Sequence, residues 1–420
     1  MKTIQTIADI VAWRMCVGCG ACAFACPKEN IRLVDIVQEG IRPQIMDPGQ
    51  CGSCRECLDV CPSHEADYSS HRSRPGILPE LLPTLGPILE IWEGHATDPE
   101  IRFQGSSGGA LTALALYALE GEKATGVLHI GQNPLDPIRN QTRLSRSREE
   151  LMAFAGSRYA PASACDRLDL IESAPSPCVF IGQPAEVTAL RKAQKLRPTL
   201  DHKVCLALSF FCAGSPSTQG TIELLKKLGV APDAVRNLRY RGRGWPGMFS
   251  TQTQAGELPR EHQTYQQSWA FLQSFRPYAT HLQPDGSGED ADISCGDPWY
   301  RPVVKGEPGS SLLVVRTERG REFIRKAMEA KYLALTPTEP MKLVKSQENL
   351  IGKRRNVWGR RLAFKTAGIP VTRLIGLPLF RLWLGLPSRE KLKSTLGTLR
   401  RIVDRKYYRT NKVDWPAPIE

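Results

Sequence analysis

The sequence predicts an α+β domain at the N terminus, an α/β body, and a basic, mostly helical C-terminal tail. Three observations predict this order. Cysteines recur at a fixed spacing before residue 62, apolar runs of strand length alternate with helical patterns from 101 to 331, and Lys and Arg accumulate after residue 352. The expected segments are a first domain at 1–68, a linker at 69–87, two parts of the body at 88–170 and 171–345, and the tail at 346–420.

Two cysteine motifs organise the N-terminal domain. The spacing C-x-x-C-x-x-C-x-x-x-C-P occurs twice, from Cys16 to Pro27 and from Cys51 to Pro62. Two complete copies are typical of a ferredoxin-like domain with two 4Fe–4S clusters, in which the fourth cysteine of each motif ligates the other cluster. We therefore assign one cluster to Cys16, Cys19, Cys22 and Cys61, and the second to Cys51, Cys54, Cys57 and Cys26.

Zinc and disulfides are the alternative uses of these cysteines. Zinc sites take their four ligands in two separated pairs rather than in runs of four. Disulfide frameworks belong to small secreted chains, and residues 1–15 lack the pattern of a signal peptide. We expect a cytoplasmic protein, and the remaining cysteines show no pairing spacing: Cys165, Cys178, Cys205, Cys212 and Cys295.

The rest of the first domain and its linker follow local patterns. Residues 3–15 place apolar side chains at helical spacing, which predicts a short helix. Residues 31–37 and 41–45 predict a hairpin that turns at Glu39-Gly40. Residues 69–87 are rich in proline and lack periodicity, which indicates a linker.

The body opens with a glycine-rich turn. We expect a strand at Ile101–Gln104, then the turn Gly105–Gly109, then an apolar helix. Such a turn presents free N–H groups and the positive end of the helix dipole to a phosphate. Ser106, Ser107, Gly108 and Gly109 are therefore candidates for phosphate binding, and a loop that only packs is the equal alternative.

Alternating strands and helices fill the remainder of the body. Helices are expected at 184–195, 218–228 and 318–331. Strands are expected at 127–130, 178–182, 204–211, 237–240, 248–253, 292–294 and 312–316.

Two motif matches in the body carry little weight. Gly242–Gly247 fits G-x-G-x-x-G, but Pro246 and the strand-like run after it oppose the helix that a dinucleotide fold needs there. Gly105–Gly109 fits the G-x-S-x-G of serine hydrolases, but a hydrolase needs no iron–sulfur clusters.

Five stretches of the body identify a family. Behind the two-cluster domain, in order, stand Gly105-Ser-Ser-Gly-Gly-Ala-Leu-Thr-Ala, Gly156-Ser-Arg-Tyr, Phe180-Ile-Gly-Gln-Pro, Gly244-Trp-Pro-Gly and Ala291-Asp-Ile-Ser-Cys-Gly-Asp. From about residue 8 to about residue 345 the chain resembles the coenzyme F420 hydrogenase/dehydrogenase β-subunit family. The resemblance implies an iron–sulfur flavoprotein oxidoreductase that exchanges electrons between clusters, FAD and a second substrate.

The chain departs from this family at a further cluster that members often carry in the body. The resemblance places its cysteines at positions 185, 212, 280 and 283, where this chain has Ala185, Cys212, Thr280 and Gln283. Alanine, threonine and glutamine cannot replace thiolates on a cluster. Two clusters are therefore expected rather than three.

The resemblance implies a function and a flavin site. A ferredoxin-like one-electron donor would reduce the clusters, and a flavin would pass electrons in pairs to an organic acceptor that the sequence does not specify. Ser106–Gly109 are the candidates for the flavin pyrophosphate, together with Ser157, Arg158 and Tyr159 from the second stretch. Trp245 is a further stacking candidate, and no residue is assigned as proton donor. The alternative is a non-catalytic subunit that passes electrons to a partner enzyme.

The tail concentrates the positive charge. The chain has a net charge of +13, and residues 353–412 contain 17 Lys and Arg against only Glu390 and Asp404. Residues 367–387 are apolar, but prolines and two arginines oppose a membrane span. Leu382, Trp383 and Leu386 could instead rest at the inner face of an anionic membrane as a peripheral contact. A tail folded on the body is the main alternative, and nucleic-acid binding is disfavoured because aromatics are not interleaved for base stacking.

Overall fold

The N-terminal domain is built around the two cysteine loops. The computed structural model describes residues 3–304 and 306–415, so residues 1–2 of the predicted first domain and 416–420 of the predicted tail lie outside the described residues. The elements of this domain are α1 (Ile7–Ala12), α2 (Ala21–Ala25), β1 (Ile31–Ile36), β2 (Gly40–Ile45), α3 (Glu56–Asp59) and β3 (Glu65–Asp67). The short helix and the hairpin expected here are both present, and β1 and β2 pair antiparallel from Ile31 with Ile45 to Ile36 with Gly40.

The body contains eleven strands among the described residues, in two sheets. They are β4 (Glu90–Ala96), β5 (Val127–Gln132), β6 (Asn140–Ser145), β7 (Cys178–Gly182), β8 (Val204–Phe210), β9 (Asn237–Arg239), β10 (Met248–Gln252), β11 (Arg260–Thr264), β12 (Ile293–Gly296), β13 (Ser311–Val315) and β14 (Leu333–Pro337). The large sheet has the order β14-β4-β13-β12-β8-β7-β5-β6, and the small one β11-β10-β9. In the large sheet β12, β8, β7 and β5 run parallel, and the strands outside them pair antiparallel.

Helices cover both faces of the large sheet. They are α4 (Leu82–Leu85), α5 (Pro99–Gln104), α6 (Ala110–Glu120), α7 (Arg148–Ala153), α8 (Asp169–Glu172), α9 (Pro184–Leu196), α10 (Pro198–Lys203), α11 (Thr218–Lys227), α12 (Tyr265–Leu272), α13 (Glu318–Glu329) and α14 (Pro340–Ser346). One core packs α6 and α13 against the sheet, with Leu114 and Ile324 fully buried. The other packs α9 and the cysteine helix α2 against the opposite face, with Leu190 and Ala25 fully buried. The N-terminal domain therefore docks on the α9 face.

The prediction of a strand at Ile101–Gln104 is wrong, because this segment belongs to helix α5. Asp98 caps the helix: its carboxylate accepts hydrogen bonds from the N–H groups of Glu100 at 2.9 Å and Ile101 at 3.3 Å. Pro99 occupies the first helical position, where its fixed φ is favourable and its missing N–H costs nothing. An Asp-Pro helix start therefore outweighs the strand preference of the apolar residues.

The segment interpreted as a linker is packed rather than free. It contains α4, and Leu81, Leu85 and Ile88 are buried in one core with Ile351 of the tail. Its prolines interrupt the helical pattern, but its leucines bury enough apolar surface to hold it on the body.

The tail folds back over both domains. It contains α15 (Glu348–Thr366), β15 (Arg373–Ile375), α16 (Leu379–Leu384) and α17 (Ser388–Asp404), and β15 pairs parallel with β3. Phe364, Ile369 and Ile402 share a core with Ile7 and Ile10 of the first domain. No helix in the described part of the chain is both long and apolar enough to cross a bilayer.

The expected lipid-facing residues of the tail are only partly available. Leu386 is buried, and Trp383 packs on Trp358 with ring centroids 4.5 Å apart while its Nε1 donates to Ser394 Oγ at 3.0 Å. Trp383 and Leu386 are therefore not free to contact lipid, because α16 packs this face against α15. The exposed apolar side chains of the tail include Phe380, Leu384, Leu392, Leu396 and Val403.

Candidate functional site

The first cysteine set encloses a buried cavity, which we call the inner site. Cys16, Cys19, Cys22 and Cys61 are all buried and all line it, although Cys61 comes from the second motif. Apolar side chains close the cavity, among them Ile7, Leu33 and Pro43. The inner site thus contains three thiols of the first motif and the last thiol of the second, as the sequence predicts for one cluster.

The second cysteine set, the outer site, lies at the surface. Burial raises the pKa of the Cys57 thiol, and the nearby Cys54, Cys26 and Cys51 raise it further, which groups these four cysteines together. Asn30 joins the two chain segments: its backbone N–H donates to Cys26 Sγ at 3.4 Å, and its Nδ2 donates to Cys51 Sγ at 3.8 Å. Cys51 and Cys54 are exposed.

The chemistry of both sites fits iron–sulfur clusters. All eight cysteines are free thiols. Across residues 3–304 and 306–415, no group of three His, Cys, Asp or Glu side chains is close enough to bind a single metal ion. A 4Fe–4S cluster is larger than one ion, so its four cysteine ligands stand farther apart. Burial, followed by the charge of Cys16, raises the pKa of the Cys61 thiol to about 12. A cluster is ligated by thiolates, so its binding here is coupled to the release of thiol protons.

The inner cysteine loop docks directly on the body. Cys165 N–H donates to the carbonyl of Cys19 at 3.0 Å, and Ser163 Oγ donates to the carbonyl of Gly18 at 2.6 Å. Gly20 has φ of +85°, and a Cβ there would lie 2.9 Å from the backbone nitrogen of Asp166. Only glycine allows this approach, so the loop sequence itself places the inner site against the body.

A small cavity lies on the body side of the inner site. Cys16 and Cys19 line one wall. The four positions of the family's body cluster converge around the same space, which holds about 60 Å³: Ala185, Cys212, Thr280 and Gln283. Lys353 from α15 completes the lining. The structure therefore gathers these four positions as the resemblance requires, with one thiol among them.

A large cavity of about 300 Å³ adjoins the small one. Gln183, Glu186, Cys212 and Ser215 line both cavities, so the two share a wall. The volume lies at the lower end of the range of cofactor pockets. The inner site, the small cavity and the large cavity thus follow one another from the first domain into the body.

The glycine-rich turn forms one end of the large cavity. Ser107 Oγ lies 2.7 Å from Ser311 Oγ, which also accepts from Gly108 N–H at 2.8 Å. A Cβ on Gly109 would lie 2.6 Å from the carbonyl oxygen of Ile101. Gly108 lies outside the cavity lining, whereas Ser107 lines the cavity beside Ala110, Leu111 and Thr112 in the first turn of α6.

The second predicted stretch meets the first at this end. Ser157 N–H donates to Ser106 Oγ at 2.6 Å, which joins the two loops. Arg158 donates to the carbonyls of Leu238 at 2.8 Å and Pro137 at 2.7 Å. Most hydrogen-bond donors of its guanidinium are therefore already bonded to protein atoms. Tyr159 lines the cavity with its ring 5.0 Å from that of Trp269.

Sequence reasoning missed an aromatic wall of the large cavity. Tyr265 and Trp299 stack with centroids 5.6 Å apart and an interplanar angle of 10°. Arg241, 2% exposed, lies over the Tyr265 ring at 4.3 Å and forms an ion pair with Asp297 at 2.6 Å. Trp245 stacks behind Trp299 at 5.3 Å and lies outside the cavity lining. These residues lie in separate elements of the chain, so no local sequence motif predicts the wall.

The start of the tail also forms part of this wall. Ser346, Gln347, Asn349 and Leu350 line the large cavity, and Lys353 lines the small one. The sequence predicted this region as part of a basic, mostly helical tail separate from the body. The helix is present as α15, but its first turns also line the site, which the lysine and arginine content did not indicate.

Comparisons with known proteins agree with this layout. A 4Fe–4S dicluster domain matches residues 15–64, and the N-terminal and C-terminal regions of the coenzyme F420 hydrogenase/dehydrogenase beta subunit match residues 91–168 and 177–341. The chain is 26% identical to the coenzyme F420 hydrogenase subunit beta of Methanococcus voltae, over 56% of this chain and 80% of that protein. It is 22% identical to the coenzyme F420-dependent sulfite reductase of Methanocaldococcus jannaschii, over 77% of this chain and 47% of that protein.

A solved structure shows the same fold. A chain of the F420-reducing [NiFe] hydrogenase complex from Methanosarcina barkeri superposes with a TM-score of 0.52 at 21% identity, over 69% of this chain and 97% of that one. The two regional matches together span more than half of the 420 residues and follow the dicluster domain in order. This chain belongs to the coenzyme F420 hydrogenase/dehydrogenase beta-subunit family.

Proposed function

We propose that the chain is an iron–sulfur flavoprotein oxidoreductase. It accepts electrons one at a time from a ferredoxin-like donor at the outer site, passes them by way of the inner site to FAD in the large cavity, and reduces an organic acceptor there. The relatives named for F420 hydrogenase and F420-dependent sulfite reductase support a redox role of this kind. The identity of the acceptor is left open.

One observation carries this proposal: the two thiol sets have opposite exposure and a fixed order. Cys51 and Cys54 reach solvent, whereas Cys16, Cys19, Cys22 and Cys61 are buried beside the cavities of the body. A donor protein can approach only the outer site closely. The order of sites therefore leads inward from the surface to the large cavity.

The first turn of α6 supports flavin binding. This helix has eleven residues, and the backbone N–H groups at its start stand at the positive end of the helix dipole. Ala110, Leu111 and Thr112 line the large cavity, so an anionic pyrophosphate would meet these groups. Tyr159 and the Tyr265–Trp299 stack offer flat apolar surface for a ring system.

Ser106 and Gly109 remain assigned to the pyrophosphate end of the flavin site, and Ser157 holds Ser106 in place. Ser107, Gly108 and Arg158 are assigned to shaping the loop that presents this end, because their polar groups bond to protein atoms. When bound, FAD would supply the conversion between one-electron and two-electron transfer.

The experiment is flavin binding to anaerobically prepared full-length protein. We expect about one FAD per chain, measured by quenching of flavin fluorescence. Thr112→Glu places a carboxylate at the first turn and should weaken binding about tenfold or more, since it repels the phosphates. Thr336→Glu adds the same charge on an exposed position of β14 and should bind FAD normally. Failure of the parent protein to bind FAD would remove the flavin from the proposal.

A second candidate is a non-catalytic subunit that passes electrons to a partner enzyme. The observation that favours it is the loss of three thiolates at Ala185, Thr280 and Gln283, which line the small cavity between the inner site and the large one. A stoichiometric redox partner that co-purifies with the chain, together with absence of turnover without that partner, would establish this role.

A further inference from the structure

The small cavity contains a lysine, Lys353, that has no carboxylate at ion-pair distance among the described residues. Lys353 is half-buried, and its side chain lines the cavity. Among residues 3–304 and 306–415, no hydrogen bond or ion pair holds its ammonium group. An ammonium group that loses water without gaining a hydrogen-bond partner is unfavourable, so such a lysine points to a ligand in the cavity.

The nearby carboxylates are engaged elsewhere. Asp285 accepts hydrogen bonds from the N–H groups of Ser287 at 2.8 Å, Gly288 at 3.0 Å and Glu289 at 2.8 Å. Glu186 accepts from Ala164 N–H at 2.9 Å and Gln183 N–H at 2.7 Å. The carboxylate of Glu39 faces Arg42 at 3.5 Å. None of the three forms an ion pair with Lys353.

Two further cations strengthen the positive potential around Lys353. Burial lowers the pKa of the Lys353 ammonium group to about 8; Cys212 and Asp285 offset part of this effect, and Arg276 and Arg360 add to it. Arg276 donates to the carbonyls of Gln273 at 3.0 Å and Ala213 at 2.9 Å, and Arg360 donates to the carbonyl of His281 at 2.8 Å. Within the described residues neither arginine has a carboxylate at ion-pair distance.

The cavity wall supplies a neutral donor, Gln283, beside this charge. Gln283 is 8% exposed, lines the cavity, and has no hydrogen-bond partner within the described part of the chain. Thr280 lines the same space, and its hydroxyl donates a hydrogen bond to the carbonyl of Pro277 at 2.9 Å. The free space of about 60 Å³ suffices for a few water molecules or one small tetrahedral anion.

From these contacts we infer that the small cavity is a binding site for a small oxyanion, with Lys353 as its charged ligand and Gln283 as its amide donor. The site occupies the place of the family's body cluster, where Gln283 stands at one of the four thiolate positions and Lys353 lies beside them. It does not depend on flavin, and it goes beyond the proposed electron-transfer function.

The test uses full-length, cluster-loaded protein and two probes, inorganic phosphate and sulfate, titrated by calorimetry at neutral pH. We expect saturable binding of one anion per chain. Lys353→Met should weaken it about tenfold or more, because a hydrogen-bonded charge is lost, whereas Lys353→Arg should largely retain it. Lys365→Met removes an exposed charge from the same helix and should bind as the parent does.

A second variant guards against misfolding. Gln283→Leu should also weaken binding, and the iron content and visible spectrum of every variant should match the parent. Absence of saturable binding of both anions to the parent would overturn the inference. Equal affinities of the parent and Lys353→Met would overturn it as well, and so would an equal loss in Lys365→Met.

Discussion

Arg354 of α15 and Glu289 of the loop before β12 form a buried ion pair, with side chains 1% and 0% exposed. Arg72 stands on the other side of the carboxylate, with its Nη2 3.7 Å from Glu289 Oε2. The basic tail is therefore tied to the body through its charge, at the helix that also contributes Lys353 to the small cavity. Positive charge in this region is partly structural rather than free for a partner.

Loss of Arg354 should destabilise the whole chain. Arg354→Met leaves Glu289 buried beside the more distant Arg72, and breaking such a pair costs about 3 kcal/mol or more. The apparent unfolding temperature should fall clearly in the variant. Arg355→Met removes a neighbouring exposed charge and should leave that temperature nearly unchanged. Equal unfolding temperatures for Arg354→Met and the parent would show that the pair contributes no stability.

Iron and sulfide content tests the two-cluster assignment. Anaerobically purified protein should contain about eight iron and eight sulfide per chain, because two 4Fe–4S clusters are expected and none in the small cavity. Cys205→Ser, which alters a cysteine outside both sets, should retain this content. A content of about twelve iron would instead indicate a third cluster that includes Cys212.

The inner and outer sites should respond differently to loss of a ligand. Cys54→Ser affects an exposed loop, so we expect loss of one cluster with most of the fold retained. Cys19→Ser affects the loop that docks on Cys165, so we expect loss of the other cluster together with a lower unfolding temperature. Electron paramagnetic resonance of the reduced variants should show a different single cluster in each. Identical spectra would contradict the separation into two sites.

Acid should destabilise the body through His129, which lines the large cavity. Burial lowers the pKa of its imidazole to about 4, so the folded chain keeps it neutral where the unfolded chain protonates it. The unfolded state then binds more protons, and stability is lost as pH falls from about 6.5 toward 4. At pH 5.5 this loss amounts to about 1 kcal/mol.

The measurement for His129 is a comparison of apparent unfolding temperatures at pH 7.5 and 5.5. His129→Gln cannot be protonated, so its temperature should fall less between these two values than that of the parent. His202→Gln alters an exposed histidine and should fall as the parent does. Equal decreases for His129→Gln and the parent would show that His129 does not titrate in this manner.

The exposed apolar side chains of the tail predict contact with an anionic membrane surface. Leu392, Leu396 and Val403 are 57%, 57% and 66% exposed, on a helix that also carries Arg389 and Lys393. Full-length protein should float with anionic liposomes at low salt and be released at high salt, because basic residues and apolar insertion act together.

Point variants suit this flotation test better than truncation, since truncation before Arg354 would break its buried ion pair. Leu392→Asp together with Leu396→Asp should abolish flotation. Leu135→Asp, at a side chain 94% exposed on the body, should not. Flotation of the double variant at the level of the parent would contradict a membrane role for α17.

The sequence alone predicted the two-cluster N-terminal domain and seven of the eleven body strands, but not β4, β6, β11 or β14. The two cysteine motifs predict that each cluster takes three cysteines from one motif and the fourth from the other. The spacing within each loop leaves one ligand position that only the other motif can fill. Apolar runs such as Cys178–Gly182 predict buried strands, because side-chain periodicity is a local property. Where a local cap competes with an apolar run, as at Asp98-Pro99, the same reasoning fails.

The cavities were decided only by tertiary structure. Lys353, Gln283 and Cys212 are separated by at least 70 residues in the chain, and they meet because α15 folds back to line the same cavity as the body. Arg158 and the basic tail show the same point, since a charged residue in a sequence does not reveal whether its partner is a ligand, a carbonyl or a buried carboxylate. Long-range contacts are fixed by packing of the whole chain, and no local pattern encodes them.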